Sequence, residues 1–195
     1  IVNKFKYNDN CHVESEDYIS WIIQRNKKAD LPPLEKVGVK FVKNISSYQE
    51  MKMKILNASH CSTSFLASLD KKKFVYESFN DKKFIKFINS FISRDVIPYL
   101  KKDFYNYRLF LNSVLKRFSN KAVPDLVKRT TINGSKNLEI FICSSMKNNL
   151  LHKKNIKRFA LIFASWYIFI NEKKNFEDDN YLYLKKNLIK YRDPV

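Results

Sequence analysis

Three side chains on one stretch of the chain, Lys52, Asn57 and His60, have the types and spacing of a site that oxidises an alcohol. A lysine amine can accept the hydroxyl proton as hydride leaves the carbon, because desolvation in a closed cleft lowers its pKa toward neutrality. Amide and imidazole groups can hydrogen-bond to the same oxygen and stabilise its charge. The K-x4-N-x2-H set therefore suits hydride transfer without a metal ion, although by pattern alone a solvated or capped helix face is the more common interpretation.

The residues around these three predict one long helix. An S-x-x-E capping box that begins at Ser47 opens it, and helical periodicity continues to about Leu69. At about 100° per residue, Lys52, Asn57 and His60 fall within one arc of about 140°. Lys52 and His60 are separated by about 12 Å along a straight helix axis. Either Lys52 reaches along a groove, or the helix bends near its start.

Apolar residues recur every three or four positions through most of the chain, which predicts a mainly α fold. Further helices are predicted over Asp17–Lys27, over Phe84–Ile92 with an end near Pro98, over Tyr107–Leu115 with an end before Asn120, over Arg158–Phe169, and over Tyr181–Lys190. A short strand is predicted at Val39–Val42, directly after Gly38. Because the sequence contains neither internal repeats nor Gly/Ser-rich linkers, we expect one domain over residues 1–195.

The composition excludes several kinds of site. Two glycines, Gly38 and Gly134, are too few and too far apart for a Gly-rich phosphate loop. Three separate cysteines and three histidines favour neither a disulfide framework nor a metal site, so we expect a reducing, cytoplasmic location. The longest apolar run, Phe159–Ile170, is shorter than the roughly 20 residues of a membrane-spanning helix. We therefore expect no membrane partner.

The formal net charge of +18 would by itself favour a nucleic-acid partner. Lysines outnumber arginines 30 to 7, however, and arginine is the residue suited to bidentate recognition of phosphate and guanine. The lysines are also spread along the chain, and the short run Lys71–Lys73 is typical of a solvated surface that could at most attract an anionic sugar acid. Nucleic-acid binding is therefore the disfavoured alternative.

Several motifs resemble those of one enzyme family. They are Glu35–Val42, Tyr48-x-x-Met51-Lys52, Leu56–His60, Arg117–Asn120, Arg129–Ser135, Arg158–Trp166 and Asp193-Pro194. From about His12 onward, the chain resembles the C-terminal domain of the mannitol dehydrogenase family, the polyol-specific long-chain dehydrogenases. This resemblance implies a mainly α, multi-helical domain of the 6-phosphogluconate dehydrogenase C-terminal-like kind, without the N-terminal Rossmann domain.

The resemblance also implies roles for individual residues. Lys52 would be the general base, and Asn57 and His60 would bind and polarise the reacting oxygen. The cofactor, NAD or NADP, would be bound mainly by an N-terminal Rossmann domain of the same polypeptide, so we expect no cofactor-binding residues in this chain. Because the sequence begins at Ile1 rather than Met, we expect a fragment that is inactive alone.

Substrate-binding candidates follow from the same resemblance. The family places an arginine and, eight residues later, a lysine around its substrate. Arg129 matches the first position, whereas Asn137 stands at the second, with Lys136 beside it. A one-residue offset on a helix turns the side chain by about 100°, so Lys136 is not an equivalent replacement.

These observations leave three functions open. The first is NAD(P)-dependent oxidation of a polyol, D-mannitol to D-fructose, with a hexonate pair (mannonate and fructuronate) or a pentitol such as arabinitol as the next substrates. The second is a degenerate, non-catalytic remnant, because Asn137 departs from the family pattern and the partner domain is missing. The third is a basic helical module that binds nucleic acid.

Overall fold

A computed structural model of the chain describes residues 11, 16, 18–25, 31–101, 106–173 and 176–190. The chain divides into two compact units, residues 1–43 and 44–195, each of which is described by itself. One domain over residues 1–195 therefore stays a prediction.

The first unit contains a short parallel sheet. Strand β1 (Trp21–Gln24) pairs with strand β2 (Val39–Val42), with Trp21 opposite Val39. A 3-10 turn precedes β2 and ends at Gly38, whose φ of 90° lies in the left-handed region that glycine adopts without strain. The strand predicted at Val39–Val42 is confirmed.

The helix predicted over Asp17–Lys27 is wrong, because its described part contains β1. Ile22 and Ile23 are adjacent, half-buried and β-branched, and such residues pack well on a pleated strand. The hydrogen-bonding partner of β1 is a strand about fifteen residues further along the chain, and local periodicity carries no information on that pairing. Asp17 and residues 26–27 lie outside the described residues.

The second unit is helical, which confirms the predicted mainly α fold. Its α-helices are α1 (Ser46–Met51), α2 (Ala58–Leu69), α3 (Val75–Phe79), α4 (Lys82–Phe91), α5 (Tyr107–Phe118), α6 (Val127–Thr130), α7 (Gly134–Leu138), α8 (Ser144–Leu151), α9 (Lys157–Glu172) and α10 (Tyr181–Lys190). Three π-helical turns continue α1, α4 and α7: the first π-turn is Lys52–Asn57, the second Ile92–Val96 and the third Glu139–Cys143. The first π-turn contacts both of the others.

The long helix that carries the predicted catalytic residues runs through α1, the first π-turn and α2 to Leu69, as predicted. It begins at Ser46, one residue before the predicted cap, so Ser47 lies inside the helix. The Asn44 Oδ1 atom accepts a hydrogen bond of 2.8 Å from the Ser46 N–H at this end. The predicted capping box is therefore wrong, and an asparagine two residues upstream organises the helix start.

Helix α2 is buried on nearly all sides, although five of its twelve residues are serine or threonine. Its hydroxyl groups bond to carbonyls one turn earlier, as Thr63 does to Ser59 at 2.9 Å and Ser64 to His60 at 2.7 Å. Phe65 is 1% exposed and packs against Phe169 of α9, with 5.3 Å between the two ring centroids. These contacts fix α2 in the core and leave its first turns, next to the first π-turn, as a rigid base for the site.

A buried ion pair links the second π-turn to α9. Asp95 is 3% exposed and accepts hydrogen bonds from Nε and Nη2 of Arg158, the latter at 2.8 Å. The Asn149 side chain donates to the Asp95 carbonyl at 2.7 Å. Because the carboxylate and the backbone oxygen both have partners, the buried charge is compensated.

Candidate active site

The first π-turn places two of the predicted catalytic residues on one line of the helix. In a π-helix, backbone bonds join residues five apart, as the Ala58 N–H and the Met53 carbonyl are joined here. Residues five apart then lie one above the other, as residues four apart do in an α-helix. Lys52 and Asn57 are five apart and span this turn. The helix is therefore not regular here: a π-turn removes most of the angular separation between Lys52 and Asn57.

Lys52 and Asn57 differ in their surroundings. Lys52 is exposed, whereas Asn57 is half-buried and its Nδ2 lies 3.5 Å from the Met53 sulfur. In the described part of the chain, no hydrogen bond joins the side chains of Lys52, Asn57 and His60. The desolvated cleft that a lysine base needs is therefore not formed by these residues alone.

Lys54 fixes the first π-turn against the third. Its Nζ donates a hydrogen bond of 3.0 Å to the Ile140 carbonyl and another hydrogen bond to the Ser144 hydroxyl. Where helical bonds change from four-residue to five-residue steps, one carbonyl loses its helical partner, and a side-chain donor can replace it. Burial lowers the pKa of the Lys54 ammonium, although Glu50 acts in the opposite direction.

His60 is a largely buried ring in an aromatic setting. It stacks on Phe118 with a centroid distance of 3.9 Å and an interplanar angle of 18°, and it meets Phe79 edge-on at 6.2 Å. Burial lowers the pKa of His60 to about 4, although Asp125 acts in the opposite direction. The imidazole is therefore neutral at neutral pH. Its Nε2 atom is buried and has no hydrogen-bond partner among the described residues.

Asp125 holds Arg129 in a fixed orientation. The Arg129 Nε donates a hydrogen bond of 2.6 Å to Asp125 Oδ1, and its Nη2 pairs with the other carboxylate oxygen. Partial burial raises the pKa of the Asp125 carboxyl, but the paired guanidinium outweighs burial and leaves that pKa below its usual value. The Arg129 side chain remains 64% exposed, so the guanidinium can still contact a ligand.

Lys136 and Asn137 lie on α7, seven and eight residues after Arg129 of α6. Lys136 is exposed. The Asn137 side chain donates a hydrogen bond of 2.9 Å to the Ile132 carbonyl in the preceding turn. The N-terminus of α7 is held by Asp178, which accepts from the Ser135 backbone at 2.9 Å and from its hydroxyl at 2.6 Å. Asn137 therefore stabilises its own turn, and a substrate contact by either residue stays a prediction.

Three residues that surround the predicted set were not identified as site residues from the sequence. The Asp125–Arg129 pair has the i,i+4 spacing of a helical ion pair, which was a usable signal. Phe118 lies in a motif that carried the family resemblance, but nothing there indicates stacking on His60. The bond from Lys54 crosses 86 residues of sequence, so local spacing contains no trace of it.

The described residues contain neither a candidate membrane-spanning helix nor a candidate metal cluster. Among them, no helix is both long and apolar enough to cross a membrane. Within the same residues, no group of three or more His, Cys, Asp and Glu side chains is arranged to hold a metal ion.

The family described as Mannitol dehydrogenase C-terminal domain matches residues 44–189. The chain belongs to the mannitol dehydrogenase family. The match lies within the second compact unit and includes the three predicted catalytic residues and the three predicted substrate-binding residues.

Known mannitol dehydrogenases give the extent of the similarity. Mannitol dehydrogenase DSF1 of Saccharomyces cerevisiae is 34% identical over 167 residues, which are 83% of this chain and 33% of that protein. Mannitol 2-dehydrogenase of Aspergillus oryzae is 28% identical over 188 residues, 92% of this chain and 38% of that protein. The structure of Pseudomonas fluorescens mannitol 2-dehydrogenase in ternary complex with NAD and D-mannitol has a TM-score of 0.78 and 25% identity, covering 86% of this chain and 35% of that one. The chain thus spans about a third of the length of these relatives.

Proposed function

We propose that this chain is the catalytic, substrate-binding domain of an NAD(P)-dependent polyol dehydrogenase that converts D-mannitol to D-fructose. The observation that carries the proposal is the combination of a neutral, buried His60 with Lys52 and Asn57 on one π-turn. The family membership supports it, as does the likeness to a mannitol 2-dehydrogenase in ternary complex with NAD and D-mannitol.

In the proposed reaction, Lys52 takes the hydroxyl proton of the substrate on its Nζ atom while the carbinol carbon loses hydride and becomes a carbonyl. A nicotinamide cofactor, when bound, would supply the hydride acceptor. The Asn57 amide and the His60 imidazole hydrogen-bond to the reacting oxygen, and a neutral imidazole can donate without adding a fixed positive charge. The bond would also give the buried Nε2 of His60 the partner that it lacks among the described residues.

Lys52 is exposed in this chain, and a lysine base works best when it is desolvated. We therefore propose that an N-terminal nucleotide-binding domain covers Lys52 and closes the cleft over the substrate. Arg129, held by Asp125, binds further hydroxyl groups of the polyol, and Lys136 or Asn137 adds a contact from α7.

The test is an assay of the protein encoded by the complete reading frame that contains this chain. It is supplied with D-mannitol, D-arabinitol and mannonate, each with NAD+ and with NADP+. We expect Lys52→Ala to abolish turnover without changing the circular dichroism spectrum, and added methylamine to restore part of the rate by supplying the missing base. Lys82→Ala, an exposed lysine on α4, is the matched control and should retain full activity. Near-normal activity of the Lys52→Ala protein would refute the assignment of the base.

The same assay decides between this proposal and a non-catalytic remnant. The Asn137 amide is already bonded to the Ile132 carbonyl, which is the observation that favours a remnant, since the family has a lysine at this position. A complete protein that oxidises none of these substrates with either cofactor would favour the remnant. Restored activity in an Asn137→Lys variant would then show that this position caused the loss.

A further inference from the structure

A second site lies at the far end of α2, away from the predicted catalytic residues. The turn after α2 borders a cavity of about 710 Å³ together with the start of α6 and the C-terminal end of α9. This volume is within the range of small-molecule sites. Ser68, on its wall, is eight residues beyond His60, about 12 Å along the helix. Neither Lys52, Asn57, His60 nor Arg129 lines it.

The wall of this cavity is strongly basic. Five lysines line it, against one carboxylate, that of Glu177: they are Lys71, Lys72, Lys73, Lys128 and Lys173. The positive charge of Lys72 is balanced by two carboxylates, because its Nζ lies 3.2 Å from Asp70 and 3.5 Å from Asp81. The Lys73 Nζ atom lies over the Phe74 ring, 5.0 Å from its centroid. Lys71, Lys128 and Lys173 are exposed and pair with no carboxylate within the described part of the chain.

The floor of the cavity is apolar and partly aromatic. Phe169 and Phe176 meet edge to face with their centroids 6.5 Å apart, and Ile132 and Val127 complete this surface. Aromatic faces of this kind stack on planar or apolar ligand groups. A ligand that matched both surfaces would therefore carry negative charge at one end and an apolar or planar group at the other.

The backbone turn after α2 places Lys71 at the wall of the cavity. Lys71 follows the C-terminus of α2 with a φ of 55°, a conformation in which glycine is the usual residue. The turn is closed by the Lys72 N–H, which donates a hydrogen bond of 3.0 Å to the Ala67 carbonyl.

We propose that this cavity binds a small organic phosphate, with Lys71, Lys128 and Lys173 contacting the phosphate oxygens and Phe169 and Phe176 contacting the rest of the molecule. Lysine suits this role as a flexible point charge that binds phosphate without fixed geometry. The site is independent of the proposed oxidation of a polyol, since the two share no residue.

The test measures binding by isothermal titration calorimetry with the 195-residue chain in 150 mM salt, where general attraction to a basic protein is screened. The probes are ATP, fructose 1,6-bisphosphate and inorganic tripolyphosphate. Saturable binding of ATP or of the sugar bisphosphate, tighter than that of tripolyphosphate, is the expected result. Tighter binding of ATP than of fructose 1,6-bisphosphate would indicate that the aromatic floor selects a nucleotide. The reverse order would indicate that the cavity selects a sugar phosphate. Tripolyphosphate that binds as tightly as both, or no saturable binding of any probe, would overturn the proposal.

Two double variants separate the cavity from the overall charge. Lys71→Glu/Lys128→Glu should weaken binding by at least about ten-fold, because charge-assisted contacts to phosphate are lost. Lys82→Glu/Lys147→Glu changes the net charge by the same amount at exposed positions outside the cavity, and it should bind as the unmodified chain does. An equal loss in both variants would show non-specific attraction instead of a site.

A further measurement needs no variant and so does not depend on folding of the charge-reversed chain. Acetylation of individual lysines is followed by mass spectrometry with and without a saturating concentration of the tightest probe. Protection confined to Lys71, Lys128 and Lys173 is expected. Uniform protection of lysines across the surface, or none at these three, would contradict the proposal.

Discussion

The buried, neutral imidazole of His60 predicts a specific loss of stability in acid. The pKa of His60 is about 4 in the folded chain, because burial disfavours its charged form, and 6.5 is the ordinary value expected in the unfolded chain. Between these two pH values the unfolded state binds a proton that the folded state does not. The free energy of unfolding therefore decreases as the pH falls through this window and is unaffected by His60 above it.

The size of this effect follows from the two pKa values. At about 1.36 kcal/mol per pKa unit, the interval between 6.5 and 4 corresponds to about 3 kcal/mol. His60→Phe removes the titrating group and keeps a ring that can stack on Phe118. Between pH 7.5 and pH 4, the unmodified chain should therefore lose about 3 kcal/mol more unfolding free energy than this variant does.

Urea denaturation at half-unit steps of pH measures this difference directly. Other titrating groups are common to both proteins and cancel in the comparison. His152→Phe makes the same substitution at an exposed ring and is the matched control for the replacement of histidine by phenylalanine. A difference between His60→Phe and the unmodified chain that stays constant over the whole range would refute the burial argument.

Three further predictions concern stability at neutral pH. Gly134→Ala should destabilise the fold by about 1–3 kcal/mol in urea denaturation, because its Cβ would lie 2.6 Å from the Cζ of the buried Phe65; an unchanged midpoint would contradict this close packing. Arg158→Met should cost about 3–5 kcal/mol, since it leaves the Asp95 carboxylate buried without its partner. The double variant with Asp95→Asn should recover part of that loss, and a double variant as unstable as Arg158→Met would argue against the ion pair. Lys153→Gly should raise stability by up to about 1 kcal/mol in thermal denaturation, because Lys153 has a φ of 52°, and Lys153→Ala should not.

Much of the helical framework could be predicted from the sequence because its periodicity is local. The spacing of Phe84 to Ile92 and of Tyr107 to Leu115 indicated α4 and α5, and the apolar run after Arg158 indicated α9. Strand β1 could not be predicted in this way, because its pairing with β2 is a non-local interaction that overrides helical spacing.

The candidate site shows the same division. Lys52, Asn57 and His60 could be selected by residue type and by family resemblance, and all three lie on the predicted helix. Their relative orientation could not be predicted, since a regular 3.6-residue period cannot reveal a π-turn. The neutral state of His60 depends on Phe118 and Phe79, which only tertiary packing brings to the ring.

The first π-turn accommodates one extra residue in this helix. A five-residue step holds one residue more than the four-residue step of a regular α-helix. Deleting one residue within Lys52–Asn57 would remove this extra residue, so the helix could return to regular form while α1 keeps its orientation relative to α2. Met51 would then stay buried. A one-residue deletion in this segment is therefore expected to disturb the fold less than a one-residue insertion, which would rotate α1 by about 100° relative to α2.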